Sequence, residues 1–150
     1  MTTSATPLPP ATPTSPLVGR YADVVISAAR FVIGSSFAQH GAQKLFGWFA
    51  DPAQGGGGGG SLPPLMLVAG AIEFFGGLLV AVGLFTRPVA FLCSGMMAVA
   101  YFMAHATRGF WPILNKGEPA VLYCFAFLLL WAVGPGRYSV DALLRGRRRA

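Results

Sequence analysis

Eight polar side chains in this sequence keep unusual company. Arg30, His40 and Lys44 share one apolar run, Glu73 sits near the middle of a second, and His105 closes a third. Asn115 and Glu118 follow in a short polar stretch, and Tyr123 opens a fourth apolar run. Carboxylate, amine and imidazole are the groups that move protons near neutral pH, and a pair of cations attracts an anion or a carbonyl oxygen. A charge at the centre of a membrane helix costs about 2.5–3.5 kcal/mol on insertion scales, so such groups persist when paired, hydrated or in use.

Helical spacing brings some of them together. On a helix Lys44 falls about 40° from Arg30 and His40 about 80° from it, so the three share a side, with Gln39 and Gln43 opposite. Gly34 and Gly41 on the same helix permit a close neighbour. Glu73 lies in the small-residue stripe Ala69-x-x-x-Glu73-x-x-x-Gly77, which should face another helix and offer the acid to Lys44, His40 or Arg30. His40 and His105 come out at matching depths, within about 3 Å. The expected result is a polar cluster in one half of a bundle, made of His40, Lys44, Glu73, His105, Asn115, Glu118 and Tyr123, with Arg30 as a further member from below. It would either fix helix register only or form a small-molecule or redox site. Two histidines at one depth would suit haem, and His40, His105, Glu73 and Glu118 have the types of metal ligands. No local ligand spacing supports either, so no metal is assigned. Phosphate-loop, nucleotide and serine-nucleophile motifs are absent, and Gly55 to Gly60 lacks the Lys-Ser/Thr of a phosphate cradle.

The elements that position these residues follow from the apolar runs. Spans are expected at about 24–46, 65–85, 88–106 and 119–134, within a four-helix domain over 23–136. A hydrocarbon core of about 30 Å needs about 20 helical residues, and the last run reaches that length least well. Pro119 suits the first turn of its helix. Open strands cannot satisfy their backbone in lipid, so the fold class is all-α, a four-helix transmembrane bundle. Residues 1–22, rich in Pro, Thr and Ser, read as a disordered tail, and no charged n-region marks a signal peptide. The six-glycine run and Pro63-Pro64 form a loop, Thr86-Arg87 a tight turn, and 107–118 a longer loop. Gly134-Pro135-Gly136 stops the last helix. Residues 137–150 make a short amphipathic basic tail capped by Ser139, expected on the membrane surface near lipid phosphates.

Composition agrees. The 150 residues are 54% hydrophobic and only 11% charged. Soluble domains are roughly 25% charged. A soluble enzyme, a wholly disordered chain and a free nucleic-acid binder are excluded, and the lipid bilayer is the primary partner. The net charge of +6 then reports orientation. Arg20, Arg87, Arg137, Arg145 and Arg147 to Arg149 outnumber Lys44, Arg108 and Lys116 on the other side, so both termini should be cytoplasmic. Cys93 and Cys124 lie in apolar runs without CxxC spacing and are expected to be inert. A faint echo relates His40-x-x-x-Lys44-x-Phe46 to His105-x-x-Arg108-x-Phe110.

Four blocks in order carry a resemblance. They are Arg30 with His40-Gly41-Ala42-Gln43-Lys44-Leu45-Phe46-Gly47-Trp48; Glu73-Phe74-Phe75-Gly76-Gly77-Leu78 with Gly83-Leu84-Phe85-Thr86-Arg87-Pro88; His105 with Gly109-Phe110, Asn115-x-Gly117-Glu118 and Leu122-Tyr123; and Gly134-Pro135-Gly136-x-x-Ser139-x-Asp141. Together they resemble the DoxX family over roughly residues 22–143. The resemblance implies a four-helix bacterial inner-membrane protein with links to redox chemistry, since a related branch supplies the membrane subunit of a thiosulfate:quinone oxidoreductase and mycobacterial relatives associate with oxidative-stress enzymes. No cofactor motif is evident; quinone is the class this reading admits, and a redox enzyme or quinone is the expected partner. The competing readings are a non-catalytic scaffold that recruits a soluble redox enzyme and, for a homo-oligomer, a small-solute or proton pathway.

Overall fold

The computed structural model describes residues 16–49 and 62–147, with side chains over 21–49 and 62–146. The segment before Pro16, the six-glycine run and Arg148 and Arg149 lie outside the described residues, as do the expectations attached to them. Six helices follow in order: α1 (Pro16–Phe46), α2 (Pro64–Val82), α3 (Thr86–Arg108), α4 (Pro112–Asn115), α5 (Glu118–Val133) and α6 (Val140–Arg147). No strand occurs among the described residues. Three helices, α1 from Tyr21, α2 and α3, are long and apolar enough to cross a membrane. The shorter α5 has 16 residues, about 24 Å of helix. It completes an all-helical membrane bundle.

Two expectations about element ends are corrected. The first helix starts at Pro16, so residues 16–22 are helical and not part of a disordered tail. Proline is well placed there, because the first helical residue needs no backbone N–H and its fixed φ already suits the helix. The turn between α2 and α3 is Gly83–Phe85, and Thr86 and Arg87 already belong to α3. Gly83 has φ +76, and its N–H bonds to the carbonyl of Val80 while that of Leu84 bonds to Leu79. This is a glycine-terminated helix end that satisfies two of the last free carbonyls.

The helices α1 and α2 meet backbone to backbone. A Cβ placed on Gly41 would lie 2.3 Å from Phe74 N and 2.7 Å from Gly70 O. One on Gly34 would lie 2.5 Å from Ala81 N, and one on Gly77 2.6 Å from Ala38 N. Lipid supplies no hydrophobic drive for helix association, so small residues that permit such contact are the main source of it. On the other side of the bundle α3 pairs with α5, where Ser94 Oγ donates to Cys124 O at 2.8 Å. Phe37 and Phe127, both fully buried, close the centre edge to face at 4.7 Å. Large apolar side chains such as Phe31, Leu67, Phe91 and Phe125 point outward and are exposed. That is the arrangement lipid requires.

Arg30 is where the structure departs most from the sequence reading. It does not join the histidine cluster and does not snorkel; it is 3% exposed at the far end of the bundle. Its Nε donates to Pro135 O at 2.9 Å, its Nη2 to Tyr138 O at 2.8 Å, and its Nη1 to the carbonyls of Val80 (2.6 Å) and Ala81. Those of Val80 and Ala81 belong to the last turn of α2, whose dipole is negative there. A buried cation is thus held by four backbone oxygens and clasps α1 to α2 and to the loop after α5. Beside it, Asp141 in α6 accepts from Phe85 N and Thr86 N, each at 2.9 Å, so an acid stands at the positive end of α3. The expected Ser139 cap is present, its Oγ accepting from Ala142 N at 3.2 Å.

Two outcomes follow. Gly41→Val should lower stability in detergent by about 3 kcal/mol or more, the upper end of overpacking costs, because the clash is with backbone that cannot yield; a melting curve in detergent measures it. Arg30→Lys keeps the charge but offers an ammonium in place of a planar fork, so it should lose about 1–3 kcal/mol through carbonyls left unpaired, read as a lower melting temperature and lower membrane yield.

Candidate functional site

At the end of the bundle opposite Arg30 the structure holds a cavity of about 200 Å³. Its walls carry His40 and Lys44 from α1, Glu73 from α2, His105 from α3, Lys116 from the loop and Tyr123 from α5, over an apolar floor that includes Phe37 and Met97. Five of the sequence candidates therefore meet, namely His40, Lys44, Glu73, His105 and Tyr123. Lys116 and the floor residues were missed. Lys116 had been counted only as a loop charge; it reaches the cavity because it ends α4 in a left-handed conformation, φ +59.

The centre is an ion pair. Lys44 Nζ lies 2.5 Å from Glu73 Oε1. The glycine contacts of α1 and α2 produce it, since Gly70 packs against Lys44 and Leu45. The two partners differ in setting, with 33% of the Lys44 side chain exposed against 4% for Glu73. Glu73 Oε2 is buried and has no hydrogen-bond partner among the described residues. It sits in a π-helical segment, Ile72–Gly76. A second π-helical segment, Tyr101–His105, carries the cavity's second histidine. Such wide turns recur at functional positions because the extra residue re-aims a side chain that a regular helix would point elsewhere.

Each imidazole is oriented. The His40 ring stands edge-on to Tyr123 at 5.8 Å, and Tyr123 leans on Phe37 at 5.1 Å. His105 Nδ1 lies 3.2 Å from Asn115 O. A carbonyl only accepts, so Nδ1 carries a proton and Nε2 is the nitrogen turned toward other partners. The ring also stacks on Tyr101.

Asn115 and Glu118 do not line the cavity. Asn115 is buried behind it, where Nδ2 donates to Gly109 O at 2.6 Å and Oδ1 accepts from Gly117 N at 2.8 Å. Its role is to fold the loop, with help from the Tyr101 hydroxyl, which donates to Phe110 O. Gly117 fits beneath because a Cβ there would come within 2.8 Å of His105 Cβ. Glu118 is exposed in the first turn of α5, where an acid complements the helix dipole. Among the described residues no three of His, Cys, Asp and Glu gather as metal ligands. Cys93 and Cys124 are unbridged.

The ion pair makes an asymmetric prediction. Lys44→Met strands a buried carboxylate and should cost about 3 kcal/mol. Glu73→Gln leaves a lysine that can swing into solvent and should cost less. The double variant should be more stable than Lys44→Met alone. Melting temperatures of the three proteins in one detergent test the order.

Comparisons with known proteins agree with the architecture. The family model DoxX matches residues 25–106. A Haemophilus influenzae protein named only as uncharacterized is 40% identical over 125 residues, covering 81% of this chain and 92% of its own length. The Escherichia coli inner membrane protein YqjF is 29% identical over 129 residues, covering 81% of this chain and 93% of its own. No solved structure matches. The family model takes in α2, nearly all of α3 and α1 from Val25, with Arg30, both histidines and the Lys44–Glu73 pair, and the relatives are spanned almost whole. This four-helix membrane protein belongs to the DoxX family.

Proposed function

We propose that the chain is a bacterial inner-membrane component linked to redox chemistry, with both termini cytoplasmic and a quinone-class headgroup as the ligand of the histidine-lined cavity. The observation that carries this reading is Glu73, whose Oε1 is paired with Lys44 while its Oε2 is buried and unpaired in the wall of a cavity shared by two histidines. Such a site offers a ring oxygen a cationic donor in Lys44 and proton carriers in His40 and His105. Tyr123 and Phe37 give it an aromatic wall.

Reduction of a quinone takes two electrons and two protons. The electrons would come from a partner redox enzyme. The part of this chain would be to seat the ring, keep bulk water away and hand over protons. A volume of about 200 Å³ suits a single ring and leaves a prenyl tail outside, in lipid.

A scaffold is the second reading, and the Lys44–Glu73 contact favours it, because an acid already spent on a cation of the same chain has one oxygen fewer for a ligand. The Lys44–Glu73 pair would then only lock α1 to α2, while the protein recruits a soluble redox enzyme.

Quinone extracted from the purified full-length protein separates the two. Wild-type protein should retain it and Glu73→Gln should retain about ten-fold less, the effect of roughly 1.4 kcal/mol. Neither protein retaining quinone would end the cofactor reading. A redox enzyme copurifying equally with both would then support the scaffold.

A further inference from the structure

A second cavity, of about 780 Å³, lies at the Arg30 end of the bundle, bounded by the start of α3, the loop after α5 and α6. Three arginines line it, Arg87, Arg137 and Arg145, and no carboxylate does among the described residues. All three are exposed. Among the described residues the one ion pair is Lys44–Glu73, at the other end. The nearest acid on α6, Asp141, is committed to Phe85 N and Thr86 N.

The backbone around the cavity is turned to suit an anion. The carbonyls of Pro135 and Tyr138 point inward to Arg30, and that of Gly136 accepts from Ser139 Oγ at 2.9 Å. Three oxygens that would repel a negative ligand are thereby occupied inside the protein. Gly134, at φ +91, lies under the Arg87 guanidinium, where a Cβ would come within 3.3 Å of Nε and Nη2.

We propose that this cavity binds the phosphate of an anionic phospholipid headgroup. Guanidinium groups take phosphate oxygens two at a time, and three from separate elements can enclose one phosphate. Depth selects the lipid over a soluble phosphate. Arg87 stands in the first turn of α3, and Val133 is the last residue of α5, so the cavity sits where the apolar spans end. Exposed Phe85, Trp131, Tyr138, Leu143 and Leu144 at the same end offer surface for acyl chains. Interfacial aromatics of this kind mark headgroup level. The site is an open groove walled by three guanidinium groups from separate elements, which is more specific than the general attraction of a basic tail to a membrane.

Native mass spectrometry of the full chain in mild detergent tests it, with phosphatidylglycerol, phosphatidylcholine and inorganic phosphate as probes. Phosphatidylglycerol should be retained in preference to phosphatidylcholine. Arg87→Gln and Arg137→Gln should each weaken that retention about five-fold, matching roughly one interfacial charge. Arg87→Lys should lose less, which separates lost charge from lost folding, and Arg108→Gln at the opposite end should change nothing. Equal retention of both lipids, or unchanged retention in the Arg87 and Arg137 variants, would overturn the proposal. Displacement of phosphatidylglycerol by an equal concentration of inorganic phosphate would overturn the lipid assignment in favour of a soluble phosphate.

Discussion

The close approach of α1 and α2 is the constraint on which the rest of the molecule depends. Gly34, Gly41, Gly70 and Gly77 remove every side chain that would hold the two backbones apart. With the backbones in contact, the side chains at either end of the contact have a fixed reach. Lys44 meets Glu73 at one end, and Arg30 meets the carbonyls of Val80 and Ala81 at the other. Fourteen residues separate the two cations on α1, about 21 Å along the axis. The helix pair therefore carries two separate polar fastenings, with small residues and the Phe37–Phe127 contact between.

The two fastenings solve the same problem with different chemistry. A cation within an apolar bundle needs oxygen around it. Arg30 obtains oxygen from the backbone: the last turn of α2 offers the carbonyls of Ala81 and of Val80, which also accepts from Gly83 N, and the loop after α5 adds two more. Lys44 obtains it from a carboxylate, and that choice leaves a second carboxylate oxygen with no partner inside the bundle. The first arrangement is closed, with the guanidinium spent on structure. The second is open, and the opening is what makes the histidine end the candidate site.

Much of this was legible in the sequence. The spans follow from apolar run length, and the side of α1 that carries His40 and Lys44 follows from regular helical spacing, because α1 has no irregular turn. Gly41 and Gly34 announced the close neighbour. The same spacing misplaced Arg30, since it gives direction around a helix and says nothing of what waits at each depth. Arg30 has Gly83, Pro135 and Tyr138 for neighbours, and backbone acceptors leave no trace in residue type. Glu73 and His105 lie in π-helical turns that shift the phase of α2 and α3, so a uniform angle per residue cannot say where they point. Asn115 and Glu118 look alike as polar loop residues. One is buried to hold the loop and the other faces out, a distinction made by Gly109, Gly117 and Tyr101 in three dimensions.

The Arg30 clasp also sets an order of events during synthesis. A ribosome delivers α1 first, and α2 brings the carbonyls of Val80 and Ala81 soon after. Pro135 and Tyr138 emerge only when all four apolar helices have been made. Until then two of the guanidinium's four acceptors do not exist. The loop after α5 is thus the closing stitch, since it supplies the last two acceptors of the first helix's buried cation.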